Sequence, residues 1–545
     1  MHVDVIDSAD GLAALQRDWT AVYEADPEAQ YFLSWTWMSN WLGGVVQDGI
    51  VLAARTDDDP QGRYCAFLPL RLQTIGAKGG GLFTVVAMAG LPVADYTGML
   101  CRPEHERAAA AAFAATLRTI RWREIVFGAF HASERRMRAI VDAFPQADFA
   151  QRDFEVVYAD GTDHSLFPRI ALPGDWESYL EDRLSKETRR KVRRFLRQVD
   201  ESDDLRVTVT DADTLERDLE IMFRFWNLRW GSAANRSYVE RHVEMFRRCC
   251  GAGTLYMTMM WQGDRPLGAL ANLLDDAKKA MLFKIFSRDE SFGNPSPGLV
   301  LYALAIRHAI ERGYAVCDLL QGNHSFKYSF GAENARVFQK AVRWRVETSL
   351  DRELDPRCLP AALRHTQSLC AAGRLHEAET NYRQILRIEP QSRDAKQGLQ
   401  AVAAAAQHAT APSSAVASRL ELARQLARAG DLVEATRVLN AVLRLEPENF
   451  QARHMLGLAA LQRRQFKTAE RELAHAARLG PQSAIVHNQL GQAQVGLGRA
   501  AEALASFDRA IALKPDLADA HSNRAGALRM LRANGGTAPG LRRTG

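Results

Sequence analysis

The sequence predicts a mixed α/β (α+β) region followed by an all-α repeat superhelix. Strand-like and helical runs alternate up to Leu350, an order that argues for α/β or α+β architecture. All ten tryptophans fall between Trp19 and Trp344, so the aromatic core lies in that region. Beyond it the strand-like runs stop and a strict 34-residue period begins.

The 545 residues predict three to four structural units at roughly 150 residues each. With 47% hydrophobic and 25% charged residues, the chain is not disordered throughout. Seventy Lys and Arg against 65 Asp and Glu leave a net charge of +5, too weak on this length to suggest a DNA partner. No apolar run approaches the ~18 residues of a membrane span. The start, MHVDVIDSADG, lacks the basic-then-apolar pattern of a secretion signal. Seven cysteines without a C-x-x-C pair read as reduced thiols, so the expected location is cytoplasmic. Histidines and cysteines show no ligand spacing, and no metal is expected.

In order along the chain, IVLAAR, YCAFLPLRL and EIVFGAF are strand-like, with a helical stretch at 104–120. A break near 159–175 divides an N-terminal half, 1–160, from a second half, 161–350. The second half has a basic helical stretch within 176–200, the strand LRVTVT, and helical stretches at 213–230 and 235–250. Three strands in meander spacing follow: TLYMTMMWQ, LGALANLL and KAMLFKIFS. Next come the loop SRDESFGN, a helix from Ser296-Pro297-Gly298 and a strand ending at Asp318. A further break near 351–358 leads to the repeats.

In the repeats, Pro447, Pro481 and Pro515 are 34 residues apart, as are Ala435, Ala469 and Ala503. Gly430, Arg464 and Gly498 hold the turn column, and Leu456-Gly457 and Leu490-Gly491 keep the same period. These columns resemble the tetratricopeptide repeat over 416–531, with 518–531 as cap helix. A degenerate unit and Ala-rich linker fill 351–415, and 532–545 is expected to be a disordered tail. Each unit is a helix pair that buries its apolar face only by stacking, and such arrays bind protein partners or self-associate.

The strand–loop–helix–strand order of the second half resembles the GNAT acetyltransferase core. FLSWTWMSNWL, LPVADYTG, LSKETRRKVRR, FWNLRW, the Ser-Pro-Gly helix start and DLLQGNHSFKY narrow it. The chain resembles the acetyltransferase family associated with cellulose and exopolysaccharide biosynthesis. That family is similar to the Fem-type aminoacyl transferases, which use two GNAT-like halves. The resemblance implies acetyl-CoA or another acyl-CoA as co-substrate and a sugar or other cell-envelope acceptor carrying an amine or hydroxyl. The first half would then be a cofactor-free GNAT-like half shaping the acceptor groove.

Ser296 is a good N-cap, Pro297 suits the first helical position, and free N–H groups there favour an anion. With Gly298 admitting a phosphate to the backbone, the donor's pyrophosphate is expected at this turn. The alternative is that Ser-Pro-Gly only starts a helix. Lys284 and Phe286 lie on the strand whose exposed amide meets the thioester carbonyl in GNAT enzymes. Asp318, Gly322 and Lys327 match the family stretch as catalytic candidates, although its tyrosine position is Phe326 here. Asp318 and Lys327 could equally form a structural pair, and His324 is a weaker base candidate. Asp95, Tyr96 and Arg229 are expected to line the acceptor groove, with core packing as the alternative role for Trp226 and Trp230. The basic run from Arg183 to Arg197 suits a saccharide, a carrier phosphopantetheine, anionic lipid as a peripheral contact, or tRNA. The tRNA case belongs to a competing expectation, Fem-type aminoacyl transfer; a third is a non-catalytic scaffold whose repeats do the work.

Overall fold

The computed structural model describes residues 1–44, 49–58, 62–158, 161–230, 236–345, 350–408 and 412–533. Most of the tail expected from 532, residues 159–160 of the first break and 409–411 of the linker lie outside the described residues. The chain forms two units, Met1–Ala362 and Leu363–Gly545.

The first unit holds two sheets. Seven strands precede residue 160: β1 (His2–Ile6), β2 (Gly49–Arg55), β3 (Ala66–Gly76), β4 (Leu82–Met88), β5 (Leu100–Cys101), β6 (Glu124–Phe130) and β7 (Phe149–Asp153). The second half adds β8 (Leu166–Ala171), β9 (Leu205–Val209), β10 (Leu255–Gln262), β11 (Arg265–Asp275), β12 (Ala280–Arg288), β13 (Val316–Asp318), β14 (Glu333–Arg336) and β15 (Phe338–Trp344).

The first sheet runs β1-β2-β3-β4-β6-β15-β7, with β5 on β3, and only β4 and β6 pair in parallel. The second runs β14-β8-β13-β12-β11-β10-β9, and only β12 and β13 pair in parallel. Two features differ from the sequence expectation. The stretch read as a break contains β8, whose Phe167 and Ile170 are buried and which pairs with β13 and β14. The chain also returns to the first sheet at its end: β15 inserts between β6 and β7, so the two halves are not sequential blocks.

One aromatic core joins the halves. Trp19, Phe32, Trp37 and Phe67 from the first half pack with Phe223, Phe246 and Met257 from the second. The opposite face of the second sheet is covered by helices Lys186–Asp200 and Pro297–Glu311, through Val192, Phe195 and Leu196 and through Val300, Leu301 and Ile306.

The second unit is helical among its described residues, in antiparallel pairs such as Phe450–Gln462 with Phe466–Leu479 and Ala484–Gly496 with Ala500–Leu513. Helices approach closely at the small-residue columns. A Cβ on Gly457 would lie 2.4 Å from Leu473 Cγ, and one on Gly491 would lie 2.5 Å from the Phe507 ring. The turn column takes the left-handed conformation throughout. Gly373, Gly430 and Gly498 have φ of 72°, 83° and 76°, and Arg464 occupies the same place at 56°.

Candidate active site

The site forms where β12 and β13 part. They pair only from Ala280↔Val316 to Leu282↔Asp318. Beyond Leu282, β12 continues to Arg288 paired with β11, while β13 ends at Asp318. The β11–β12 register slips between Ala271 and Asn272, which face Ile285 and Phe283, so Lys284 is the extra residue of a bulge. A bulge removes its extra residue from the ladder and re-aims the neighbouring side chain.

Helix Pro297–Glu311 begins over this opening, with Ser296 as N-cap and Pro297 at its first position. The Ser296 side chain makes no capping bond, which leaves the amides of the first turn to other acceptors. Gly298 is where the helix meets β12: a Cβ there would lie 3.0 Å from the Phe286 ring. Tyr302, one turn further on, gathers the rings of Phe283, Phe286, Phe326 and Phe330 at centroid distances of 5.0, 5.7, 5.7 and 5.1 Å. Phe326 is 45% exposed, an apolar rim on the opening.

Below the opening lies a buried polar cluster to which both halves contribute. Asp318 accepts from Tyr96 Oη at 2.7 Å, from Arg169 Nε at 2.7 Å and from the Leu320 amide at 2.8 Å. Arg169 is the cross-strand partner of Asp318 in the β8–β13 register. Burial, with the Asp318 charge alongside, pushes the Tyr96 phenol well above its usual pKa, so it stays a donor. Lys284 Nζ pairs with the Asp95 carboxylate and donates to the Val93 carbonyl at 2.7 Å. Lys327 Nζ donates to the carbonyls of Leu320 and Gln321 at 3.0 and 2.7 Å. Burial depresses this lysine to about 8, against the pull of Asp95 and Asp318.

The candidate residues thus fall into three places. Asp95, Tyr96, Lys284, Asp318 and Lys327 converge on the cluster, and Phe286, Ser296 and Gly298 frame the opening. Arg229 is elsewhere, at the end of helix Leu215–Trp230, paired with Glu290 at 3.1 Å. Asp318 and Lys327 each have their own partners, and no ion pair joins them among the described residues. Tyr328 is turned to Asn334 at 2.7 Å. Trp226 stacks on Tyr238 at 5.0 Å, whereas Trp230 is 52% exposed.

Three contributors had no individual signal in the sequence. Arg169 lay in the stretch read as a break, and only its alternation in LFPRIA marks a strand. His131 sits against Tyr96 and Phe167, and burial, then the Arg169 charge, holds it down to about 4. His242 is buried on helix Arg236–Gly251, held down to about 3 by burial and by Lys284; its Nε2 has no partner among the described residues. Both imidazoles are neutral at physiological pH.

The basic run forms an exposed face on helix Lys186–Asp200. Lys191 and Arg193 pair with Glu187 and Glu177, while Lys186, Arg189, Arg190, Arg194 and Arg197 have no ion pair among the described residues. Among the described residues no group of three or more His, Cys, Asp or Glu could hold a metal ion, and no helix is long and apolar enough to cross a membrane.

Residues 186–328 match the family model of the acetyltransferase (GNAT) domain, and 426–493 and 484–517 match models of the tetratricopeptide repeat. No curated protein sequence matches the chain. Among solved structures, a Thermobaculum terrenum O-GlcNAc transferase mutant is similar at 30% identity, covering 22% of this chain and 23% of that one, with a TM-score of 0.21. This chain thus spans about a quarter of that protein's length. FemX is similar at 10% identity over 63% of this chain and 97% of its own, with a TM-score of 0.45. YrrB, described as a TPR protein with an unusual peptide-binding site, is 17% identical over 30% of this chain and 90% of its own, at 0.21. The chain joins a GNAT-type acetyltransferase domain at 186–328 to C-terminal tetratricopeptide repeats.

Proposed function

We propose that the protein is a cytoplasmic acyl-CoA-dependent acyltransferase. It would move an acetyl or other acyl group to an amine or hydroxyl of a sugar or other envelope-precursor acceptor, with the repeats docking a protein partner. The observation that carries this reading is the parting of β12 from β13 at Leu282 beneath the uncapped start of helix Pro297–Glu311. The gap offers the extended arm of the donor a strand edge, and the helix N-terminus offers its pyrophosphate free amides and a favourable dipole. Asp95 and Val93, brought by the first half, belong to the acceptor side, with Tyr96 buried behind them on Asp318.

The acceptor nucleophile attacks the thioester carbonyl carbon, and the C–S bond breaks as the tetrahedral intermediate collapses. Juxtaposition supplies much of the rate, and an N–H donor at the β12 bulge stabilises the oxyanion. The proton leaving the acceptor must reach the departing thiolate. Lys327, depressed to about 8, exchanges protons near neutral pH and suits that transfer. Tyr96, Asp318 and Arg169 hold the β13 end in place. This assignment tolerates Phe326 at the family's tyrosine position, since the proton does not pass through a phenol there.

Thermal unfolding of the full chain with and without acetyl-CoA tests the reading. A donor at 100 times its dissociation constant stabilises the folded state by about 2.7 kcal/mol. Gly298→Asp, which sets a carboxylate beside the proposed pyrophosphate, should abolish the shift. An unchanged shift in that variant, or none with any acyl-CoA in the parent, refutes the assignment.

The unpaired cations of helix Lys186–Asp200 favour a second reading, aminoacyl transfer from charged tRNA. It requires tRNA binding that weakens steeply with salt and with Arg190→Gln plus Arg194→Gln.

A further inference from the structure

The basic helix Lys186–Asp200 is anchored at both ends in the part of the second sheet that holds the donor opening. Just before it, Arg183 abuts Gly331, where a Cβ would lie 2.5 Å from the Arg183 carbonyl oxygen. Gly331 leads into the edge strand β14, whose Glu333 is in line with Arg169 and Asp318, where β12 and β13 part. After the helix the chain enters β9, the other edge strand, at Leu205, opposite Gln262 at the β10–β11 turn. That turn is at the end of the sheet where Gly268 faces Arg288, and a Cβ on Gly268 would lie 3.0 Å from Pro297. Between these anchors the helix crosses helix Pro297–Glu311, sharing a core with it through Val192, Phe195 and Leu196.

On its outer face Lys186, Arg190, Arg194 and Arg197 are exposed, and spacings of four, four and three residues set them in one stripe about 16 Å long. Like charges so placed repel one another, which an anionic partner would relieve. One CoA, with its charge at the start of helix Pro297–Glu311, leaves a stripe of this length unmatched. Glu181 and Glu187 stand in the same groove, where a continuous phosphate backbone meets repulsion and separate carboxylates do not. No large apolar side chain is exposed between Arg183 and Asp200, so the helix has nothing to insert into a bilayer. Acidic protein is the chemistry that matches.

We propose that this face docks an acidic carrier protein whose phosphopantetheine thioester enters the gap between β12 and β13. The proposal rests on the acyltransferase reading and names the donor within it: an acyl group tethered to a protein rather than to free CoA. The carrier's carboxylates meet the stripe, and the phosphodiester of its arm meets the free amides in the first turn of helix Pro297–Glu311. The acyl group passes from the arm's sulfur to the acceptor nucleophile, whose proton ends on the thiolate. The carrier leaves with a free thiol. Opposite charges steer the encounter, so binding weakens as salt rises.

Fluorescence anisotropy with the full chain tests it, using an acyl carrier protein of fatty-acid synthesis in two forms: acetylated on its phosphopantetheine, and apo, without the arm. At low salt the acetylated form should bind, and the apo form about tenfold more weakly. Combining Arg190→Gln, Arg194→Gln and Arg197→Gln should weaken the acetylated carrier by about tenfold or more, while the melting temperature shows a folded protein. The acetyl-CoA melting shift should survive in that variant. The proposal falls if the acetylated carrier does not bind, if the apo form binds as tightly, or if the variant binds like the parent. It falls equally if the variant loses the acetyl-CoA shift, which would give these cations to CoA. Tighter binding of tRNA or of phosphatidylglycerol vesicles than of the carrier also overturns it. Absence of an acetyl-CoA shift in the parent would remove free CoA as donor without altering the carrier measurements.

Discussion

Removing the Tyr96 hydroxyl tests whether the buried cluster ties the two halves together. In Tyr96→Phe, Asp318 keeps Arg169 Nε at 2.7 Å and the Leu320 amide at 2.8 Å but loses the phenol at 2.7 Å. A hydrogen bond to a charged acceptor contributes roughly 1.5–3 kcal/mol, and Asp318 is 2% exposed, so water cannot replace the lost donor. The expected loss is about 2 kcal/mol. Asp318→Ala also strands the Arg169 charge and should cost about 3 kcal/mol, the low end for a broken buried pair because Arg169 is one-third exposed. The double variant should cost less than the sum by about 2 kcal/mol, because the phenol has no carboxylate left to lose. Urea unfolding followed by tryptophan fluorescence reads this directly, since every tryptophan lies in the first unit and the repeats are silent. A Tyr96→Phe loss below about 0.5 kcal/mol, or strict additivity, would refute the reasoning.

Other outcomes follow from titration and close packing. Lys327 titrates near 8 when folded and near 10.5 when unfolded, so the unfolded chain holds the extra proton between those values. Its contribution to stability therefore rises across pH 8–10.5, by up to about 3 kcal/mol, and Lys327→Met should lack that rise in urea midpoints taken across the window. His242 falls from 6.5 to about 3 on folding, so its contribution is intact above pH 6.5 and lost as pH drops toward 3. His242→Gln should narrow the gap between neutral and acid midpoints. In the repeats, Arg464→Gly should stabilise by about 1 kcal/mol because glycine takes the left-handed turn without a Cβ penalty. Gly491→Ala should destabilise by about 1–3 kcal/mol, since the fully buried Phe507 ring cannot withdraw; circular dichroism melts of both variants check the signs.

The repeats were legible because each column answers to a local demand: proline ends a helix, glycine turns left-handed, and a small residue admits Leu473 or Phe507. The second half was legible for a similar reason, as meander turns and the Ser-Pro-Gly start are local signals. The polar cluster was only half visible. Asp95, Tyr96, Lys284, Asp318 and Lys327 could each be named from motif matches, but not their pairings. Lys284 meets Asp95 across 189 residues, and Tyr96 meets Asp318 across 222. Such contacts depend on which faces of two sheets oppose each other. Arg169 and His242 were invisible because a charged residue on a short strand and a histidine on an amphipathic helix look alike whether they face solvent or a site.

The insertion of β15 between β6 and β7 imposes an order on synthesis. β6 ends at Phe130 and its neighbour starts at Phe338, so the ribosome must add about 200 residues before the first sheet can close. At roughly 5–20 residues per second that is about 10–40 s, during which β6 and β7 have no strand to bridge them. A gene fragment that starts at Met1 and stops at residue 328, the end of the acetyltransferase match, keeps β6 and β7 but lacks β15 and would make that interval permanent. It would leave the emerging N-terminal half with two open edges and a standing need for chaperones.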